Sequence, residues 1–68
     1  MAVVKVLEII AESPKSWEDA VQEAVSETAK TVRGIQNVWV QDFKAIVKDN
    51  KIVAYRANCK ISFTVENT

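Results

Sequence analysis

The first residues of the chain form an apolar run with little polar interruption. Val3 to Ala11 is mostly β-branched and contains only Lys5 and Glu8 as charged residues. Runs of this length and composition are typical of strands. The pattern stops at Pro14, because proline disfavours helical geometry in the residue before it. The sequence therefore predicts a first strand followed by a break.

The next segment carries apolar residues at helical spacing. Ser16 is positioned as an N-cap, with Asp19 three residues on, where a capping box carries an acid. The apolar and small residues then follow at alternating steps of three and one, which trace one stripe of a helix: Trp17, Ala20, Val21, Ala24, Val25, Thr28, Ala29 and Val32. Gly34, the only glycine, is the predicted stop. An amphipathic helix from Trp17 through Val32 is expected.

Two long strands follow the predicted helix. Asn37 to Lys48 and Lys51 to Val65 flank the pair Asp49-Asn50, and both residue types tolerate the positive φ angles of a tight hairpin. With two residues in the turn, cross-strand partners have numbers that sum to 99. Lys48 would then face Lys51 and Val38 would face Ile61, unless a bulge shifts the register.

The last strand predicts two unlike faces for the sheet. Its odd positions are all apolar or aromatic, and we expect them to lie under the helix: Val53, Tyr55, Ala57, Cys59, Ile61, Phe63 and Val65. Its even positions are mostly polar and form the opposite face. On that face, the predicted neighbours from the preceding strand include Asn37, Trp39 and Phe43. One helix covers one side of a sheet, so Trp39 and Phe43 are predicted to be exposed. Two aromatic residues among polar ones indicate an interface or ligand surface, although both could be ordinary exposed strand residues.

The order of elements gives the fold class. A right-handed crossover makes the first two strands parallel, and the third strand fits between them, antiparallel to both. The prediction is an α+β fold with the order β-α-β-β, in which a three-stranded antiparallel sheet of order 1-3-2 packs on one α-helix.

Composition narrows the possible functions. The chain has 68 residues, nine basic and nine acidic, with one cysteine and no histidine. These counts exclude an internal disulfide, the usual zinc sites and histidine-dependent catalysis, so we expect no enzyme. The balanced charge argues against nucleic-acid binding. The absence of a long apolar run argues against a membrane span, and a cytoplasmic location is expected.

Because the chain is short, we expect it to gain stability by self-association or by binding a ligand. One small core roughly cancels the conformational entropy of about 70 ordered residues, and neither a disulfide nor zinc is available to add stability. Cys59 is interpreted as a core residue. The basic hairpin offers a small anionic ligand as a less favoured possibility; its cations are Lys44, Lys48, Lys51, Arg56 and Lys60.

Several short motifs together resemble the dodecin family. They are Ser13-x-x-Ser16-Trp17, the helix rich in acids and alanine, Lys30-Thr31-Val32-Arg33, the Asp49-Asn50 turn, and Tyr55 followed by Lys60-Ile61-Ser62-Phe63. The resemblance extends over essentially the whole chain and implies one dodecin-like domain over residues 1–68. It also implies a hollow homododecamer without catalytic activity, of a kind that stores or buffers flavin.

The resemblance also implies where a ligand would bind. In flavin-binding dodecins a tryptophan stacks on the isoalloxazine ring and a glutamine hydrogen-bonds to it. Aligned from Thr31 and Val32, these positions fall on Asn37 and Arg56, while Trp39 lies two residues further along the same strand. The expected flavin-site positions are thus Asn37, Trp39 and Arg56. The expected interface consists of Trp39 and Phe43, the two aromatic residues predicted to be exposed.

The departures at Asn37 and Arg56 leave the ligand open. The helix start Ser16-Trp17-Glu18 resembles a branch of the family that lacks the flavin tryptophan and includes calcium-binding members. The candidates are a riboflavin- or FMN-type flavin, calcium bound by residues that the sequence does not identify, and an unliganded structural shell.

Overall fold

The computed structural model describes residues 3–65 and has the predicted architecture. The elements are β1 (Val3–Ser13), α1 (Trp17–Thr28), β2 (Ile35–Lys48) and β3 (Lys51–Val65). The sheet order is β1-β3-β2, and β3 pairs antiparallel with both neighbours. The predicted fold class and sheet order are therefore confirmed.

The start of α1 is fixed by two side chains that also hold the end of β1. Ser16 is extended, and its hydroxyl accepts a hydrogen bond from the backbone N–H of Asp19 at 3.0 Å. The Asp19 carboxylate does not complete a capping box with Ser16. It accepts a hydrogen bond from the hydroxyl of buried Ser13 at 2.6 Å instead. The acid at the helix start therefore joins β1 to α1.

The helix ends at Thr28, earlier than the apolar stripe predicts. The next N–H groups bond over three residues, from Lys30 to Glu27 at 3.2 Å and from Thr31 to Thr28 at 3.1 Å. The chain must reverse here because β2 begins at Ile35, paired with Phe63. Gly34, at φ +75°, lies in this connection rather than at the helix end.

The hairpin between β2 and β3 has the predicted turn. Asp49 and Asn50 have φ angles of 52° and 63°, as a two-residue turn of type I′ requires. Lys48 pairs with Lys51 and Val38 pairs with Ile61, so the predicted register is confirmed at both ends.

The register differs in the middle of β2, and the difference corrects one prediction. Irregularities between Val40 and Asp42 and between Ile46 and Val47 shift the intervening partners by one. Phe43 consequently pairs with Ala57, which is fully buried under α1, rather than with Arg56. An extra residue in one strand reverses the alternation of side chains beyond it. The prediction that Phe43 shares a face with Trp39 was therefore wrong.

The core between helix and sheet is small. Ala20 and Ala24 of α1 pack against Ala57, Cys59 and Ile61 of β3, three of the predicted inward positions. Small side chains allow the helix to approach the sheet closely. Val53, also predicted to face inward, is exposed, because it lies beyond the helix at the second irregularity of the hairpin.

The chain has more surface than a compact protein of its size. Its accessible surface is 5208 Å², against about 4,300 Å² expected for 7.6 kDa. Its radius of gyration is 14.0 Å, against about 11 Å for a compact chain of this length. The long dimension is 53 Å and the thinnest is 13 Å, which is the thickness of one helix on one sheet. No helix within residues 3–65 has the length and apolar character needed to cross a membrane.

Gly34→Ala is expected to lower the free energy of unfolding by about 1–2 kcal/mol. The residue has positive φ, and an added Cβ would lie 3.3 Å from the carbonyl oxygen of Thr64. Urea denaturation at one fixed protein concentration measures the change. Ser26→Ala, at an exposed helix position, is the matched control and should change stability by less than about 0.5 kcal/mol. Equal stability of the two variants would contradict the assignment of strain to Gly34.

Candidate functional site

The side of the sheet facing away from α1, here the second face, carries Trp39 as predicted. Trp39 pairs with Lys60, and Lys60 pairs with Glu8 on the other side of β3. The ammonium of Lys60 lies 5.5 Å from the centre of the Trp39 ring, which is within the range of a cation–π interaction. Trp39 is 62% exposed. An aromatic surface with a cation beside it is therefore open on this face.

Asn37, which the sequence resemblance predicts to lie at a flavin-stacking position, makes a polar contact. It pairs with Ser62, whose hydroxyl donates a hydrogen bond to the Asn37 side-chain oxygen. An asparagine has no aromatic ring to stack on a planar ligand. The structure places Asn37 and Trp39 on the same face, as predicted. Asn37 offers a hydrogen-bonded amide there and not an aromatic ring.

Arg56, which the sequence resemblance predicts to lie at a flavin-contacting position, forms an ion pair with Glu12. Its Nη2 and Nε atoms lie 2.7 and 3.2 Å from one carboxylate oxygen of Glu12. Both side chains are about half exposed. The contact depends on the pairing of β1 with β3, which places Glu12 opposite Arg56. The guanidinium is thus directed to β1 within its own chain.

A small concavity lies beside Arg56 on the second face. Its volume is about 80 Å³, and its walls include Asp42, Lys44, Arg56 and Asn58. The side-chain oxygen of Asn58 is buried and has no hydrogen-bond partner among residues 3–65. A drug-sized ligand needs a pocket of roughly 300 Å³ or more. This concavity of one chain is therefore too small to hold a flavin by itself.

Acidic residues do not converge in one chain. Among residues 3–65, no three carboxylate or cysteine side chains lie close enough to hold a metal ion. Glu8, Glu12 and Asp42 share the second face but occupy separate cross-strand rows, opposite Lys60, Arg56 and Asn58. A cation bound here by several carboxylates would require more than one copy of the chain.

The helix side of the sheet has a second feature, which the sequence did not predict. Trp17 contacts Tyr55 and Phe43 edge to face, at centroid distances of 4.9 and 5.8 Å. Its indole N–H donates to the backbone oxygen of Lys44 at 3.0 Å. Trp17 is 38% exposed, so it is not the fully buried core residue that the helical stripe suggested.

Beside this aromatic cluster, α1 and β2 enclose an apolar groove. We define the α1–β2 groove as a space of about 510 Å³ whose apolar walls are Trp17, Val21, Val25, Val38, Val40 and Phe43. The shift of Phe43 to the helix side creates one of these walls. The sequence of β2 shows only an alternation of apolar and polar residues. That alternation does not reveal the register shift between Val40 and Asp42.

Comparisons with known proteins agree with this fold. The dodecin family model matches residues 3–66. The calcium dodecin of Mycobacterium tuberculosis is 36% identical over 63 residues, covering 93% of this chain and 89% of that protein.

Solved structures of dodecins superpose on the whole chain. A mutant of the Thermus thermophilus dodecin has a TM-score of 0.93 at 24% identity, with both chains covered completely. The crystal structure of the M. tuberculosis calcium dodecin, described with a novel calcium-binding site, has a TM-score of 0.84 at 33% identity and covers 97% of this chain and 94% of that one. The chain belongs to the dodecin family.

Proposed function

We propose that this chain is a non-catalytic dodecin that assembles into a hollow homododecamer and holds a small ligand between its copies. The main support for the proposal is the large solvent-accessible surface area of the single chain. The accessible area of 5208 Å² exceeds that of a compact chain by about 900 Å². A standard protein interface covers about 800 Å² on each partner, so the excess equals what association buries.

Exposed apolar side chains contribute to this uncovered surface. Eleven large ones are exposed among residues 3–65: Val3, Val4, Val6, Leu7, Ile10, Trp17, Trp39, Phe43, Val47, Ile52 and Val53. They lie on both sides of the sheet and at its ends, whereas the buried core consists mainly of small residues. Burying them against other copies would provide the stability that one chain of this size lacks.

Flavin is the ligand that the family resemblance implies, but the second face supports it weakly. Asn37 replaces the stacking ring and is bonded to Ser62, while Arg56 replaces the glutamine and is paired with Glu12. Trp39 offers a ring two residues away, with Lys60 beside it. An aromatic platform is worth roughly 0.5–1.5 kcal/mol beyond its buried area. We therefore expect low flavin affinity.

Calcium is the second candidate, favoured by the relative at 36% identity that is named a calcium dodecin. Calcium takes six to eight oxygen ligands, and the described part of one chain brings no three acids together. The proposed calcium site therefore lies between copies and uses carboxylates of the second face, such as Glu8 and Asp42.

The absence of catalysis is supported by the available side chains. The sequence has no histidine to act as a base. Burial raises the pKa of the Cys59 thiol, which lowers the fraction of reactive thiolate at neutral pH.

A mass measurement tests the assembly directly. Multi-angle light scattering on the purified protein should give about 91 kDa, twelve times the 7.6 kDa chain. The absorbance spectrum of the same peak reports any bound flavin. A mass of 7.6 kDa at micromolar concentration would overturn the proposed function.

Restoring the two family contacts should restore flavin binding. Riboflavin fluorescence is expected to be unquenched by micromolar wild-type protein and to be quenched by the Asn37→Trp, Arg56→Gln variant, because the variant regains a ring and an amide. Trp39→Ala is the control. If wild-type protein quenches and Trp39→Ala does not, Trp39 is itself the platform and our reading of Asn37 is wrong.

Calcium binding should raise the melting temperature of EDTA-treated protein. A ligand at one hundred times its dissociation constant adds about 2.7 kcal/mol, which is a shift of roughly 10–20 °C for a domain of this size. Asp42→Asn is expected to reduce the shift, while Glu23→Gln, on the exposed side of α1, should leave it unchanged. A melting curve that is insensitive to both calcium and EDTA would argue against this ligand.

A further inference from the structure

The end of the hairpin extends beyond the rest of the fold. β1 ends at Ser13, opposite Tyr55, and α1 begins at Trp17, which contacts Tyr55. The segment of residues 47–53, here the arm, therefore consists of the two paired strand ends and their turn, with no residue of β1 paired to it. Isolated two-stranded hairpins are marginally stable in water, so an arm of this kind gains from a partner.

The arm carries apolar side chains that its own chain does not cover. Val47 and Ile52 are cross-strand partners, and Val53 follows at the irregularity. Their exposed fractions are 61%, 55% and 46%. Three large aliphatic side chains grouped on a protruding segment form an apolar patch, which is typical of an interaction surface.

We propose that the arm of one copy lies in the α1–β2 groove of a second copy. This inference rests on the proposed self-assembly and specifies which surfaces meet. The groove has about 510 Å³ of space and apolar walls, and it is open to solvent at Trp17 and Phe43. Exposed aromatic residues in such a position are the usual anchors of protein interfaces.

The arm does not reach the groove of its own chain. Phe43, in the wall of the groove, and Val47, on the arm, belong to the same continuous strand β2. A strand extends away from its own residues by about 3.3 Å per residue, and the arm stays paired along its length. The occupant of the groove therefore comes from another copy.

The arm and the groove carry net charges of opposite sign: the arm has Lys48, Lys51 and one acid, Asp49, for a net charge of +1, and the groove wall has one acid, Glu18. Lys48 and Lys51 face each other at the tip of the arm, and like charges directly opposite are destabilising. Glu18 lines the groove and is exposed. Among residues 3–65, none of these three side chains takes part in an ion pair within the chain. Insertion of the arm brings the lysines toward a carboxylate.

The contact joins two different surfaces. Each copy gives an arm and receives one, so the arrangement is head to tail and closes into a ring when the rotation permits. This distinguishes it from a symmetric pairing of two arms or of two grooves, in which each surface meets its own counterpart.

Disulfide cross-linking tests the arrangement. In the Val53→Cys, Gln22→Cys double variant, one new thiol lies on the arm and the other lines the groove. After mild oxidation, denaturing gels without reductant should show a ladder of covalent multimers, which a reductant abolishes. Neither single variant should form the ladder or a covalent dimer. The wild-type protein, with only buried Cys59, is the background control.

The negative outcomes separate this inference from the proposed function. If the double variant has the wild-type mass by light scattering and gives no ladder, another molecule or surface fills the groove and the arm-in-groove contact is wrong. A covalent dimer from either single variant would show like surfaces meeting and would also overturn it. A monomeric wild-type protein would instead overturn the assembly itself.

A charge exchange gives a second test that does not depend on oxidation. Glu18→Lys should raise at least several-fold the protein concentration at which the assembly dissociates, and adding Lys51→Glu should reverse most of that change. Glu23→Lys, on the same helix but outside the groove wall, should have a smaller effect that Lys51→Glu does not reverse. Equal effects of the two helix variants would contradict the proposed contact.

Discussion

The difference in length between the helix and the strands determines most of this structure. α1 has 12 residues, or about 18 Å at 1.5 Å per residue. β3 has 15 residues, or about 50 Å at 3.3 Å per residue. One helix therefore covers only the middle of one side of the sheet. The uncovered second face, the open groove beside β2 and the protruding arm all follow from this mismatch.

The irregularities in the hairpin divide the exposed surface into two parts. Without the shift between Val40 and Asp42, Phe43 would lie near Trp39 on the second face. With it, Phe43 contacts Trp17 and forms a wall of the groove on the helix side. One inserted residue thus separates the two aromatic side chains and gives the helix side its own apolar site.

The elements of the fold were predictable because their signals are local. Ser16 at the N-cap, Asp49-Asn50 in the turn and the inward positions Ala57, Cys59 and Ile61 of β3 each depend on neighbouring residues, and all are present as expected. The bulge has no such signal, since Gln41 suits either an ordinary or an inserted position. The end of α1 was also missed, because its apolar stripe continues through Val32 while β2 requires the chain to turn back.

The candidate site was predictable only in part for the same reason. Alternation along β2 correctly placed Asn37 and Trp39 on one face. The partners of Asn37 and Arg56, however, are Ser62 and Glu12, and the second depends on the register between β1 and β3. That register pairs two residues 44 positions apart in the chain, Glu12 and Arg56, and the alternating pattern of either strand alone does not determine it.

The two sides of the sheet have separate packing roles, so residues of the second face can differ between relatives without altering the core. The core of Ala24, Cys59 and Ile61 and the groove walls lie on the helix side, whereas Asn37 and Arg56 lie on the second face. Substitutions on the second face leave the core packing intact. A dodecin at 24% identity accordingly superposes with a TM-score of 0.93. A different side chain at Asn37 is therefore compatible with an unchanged fold.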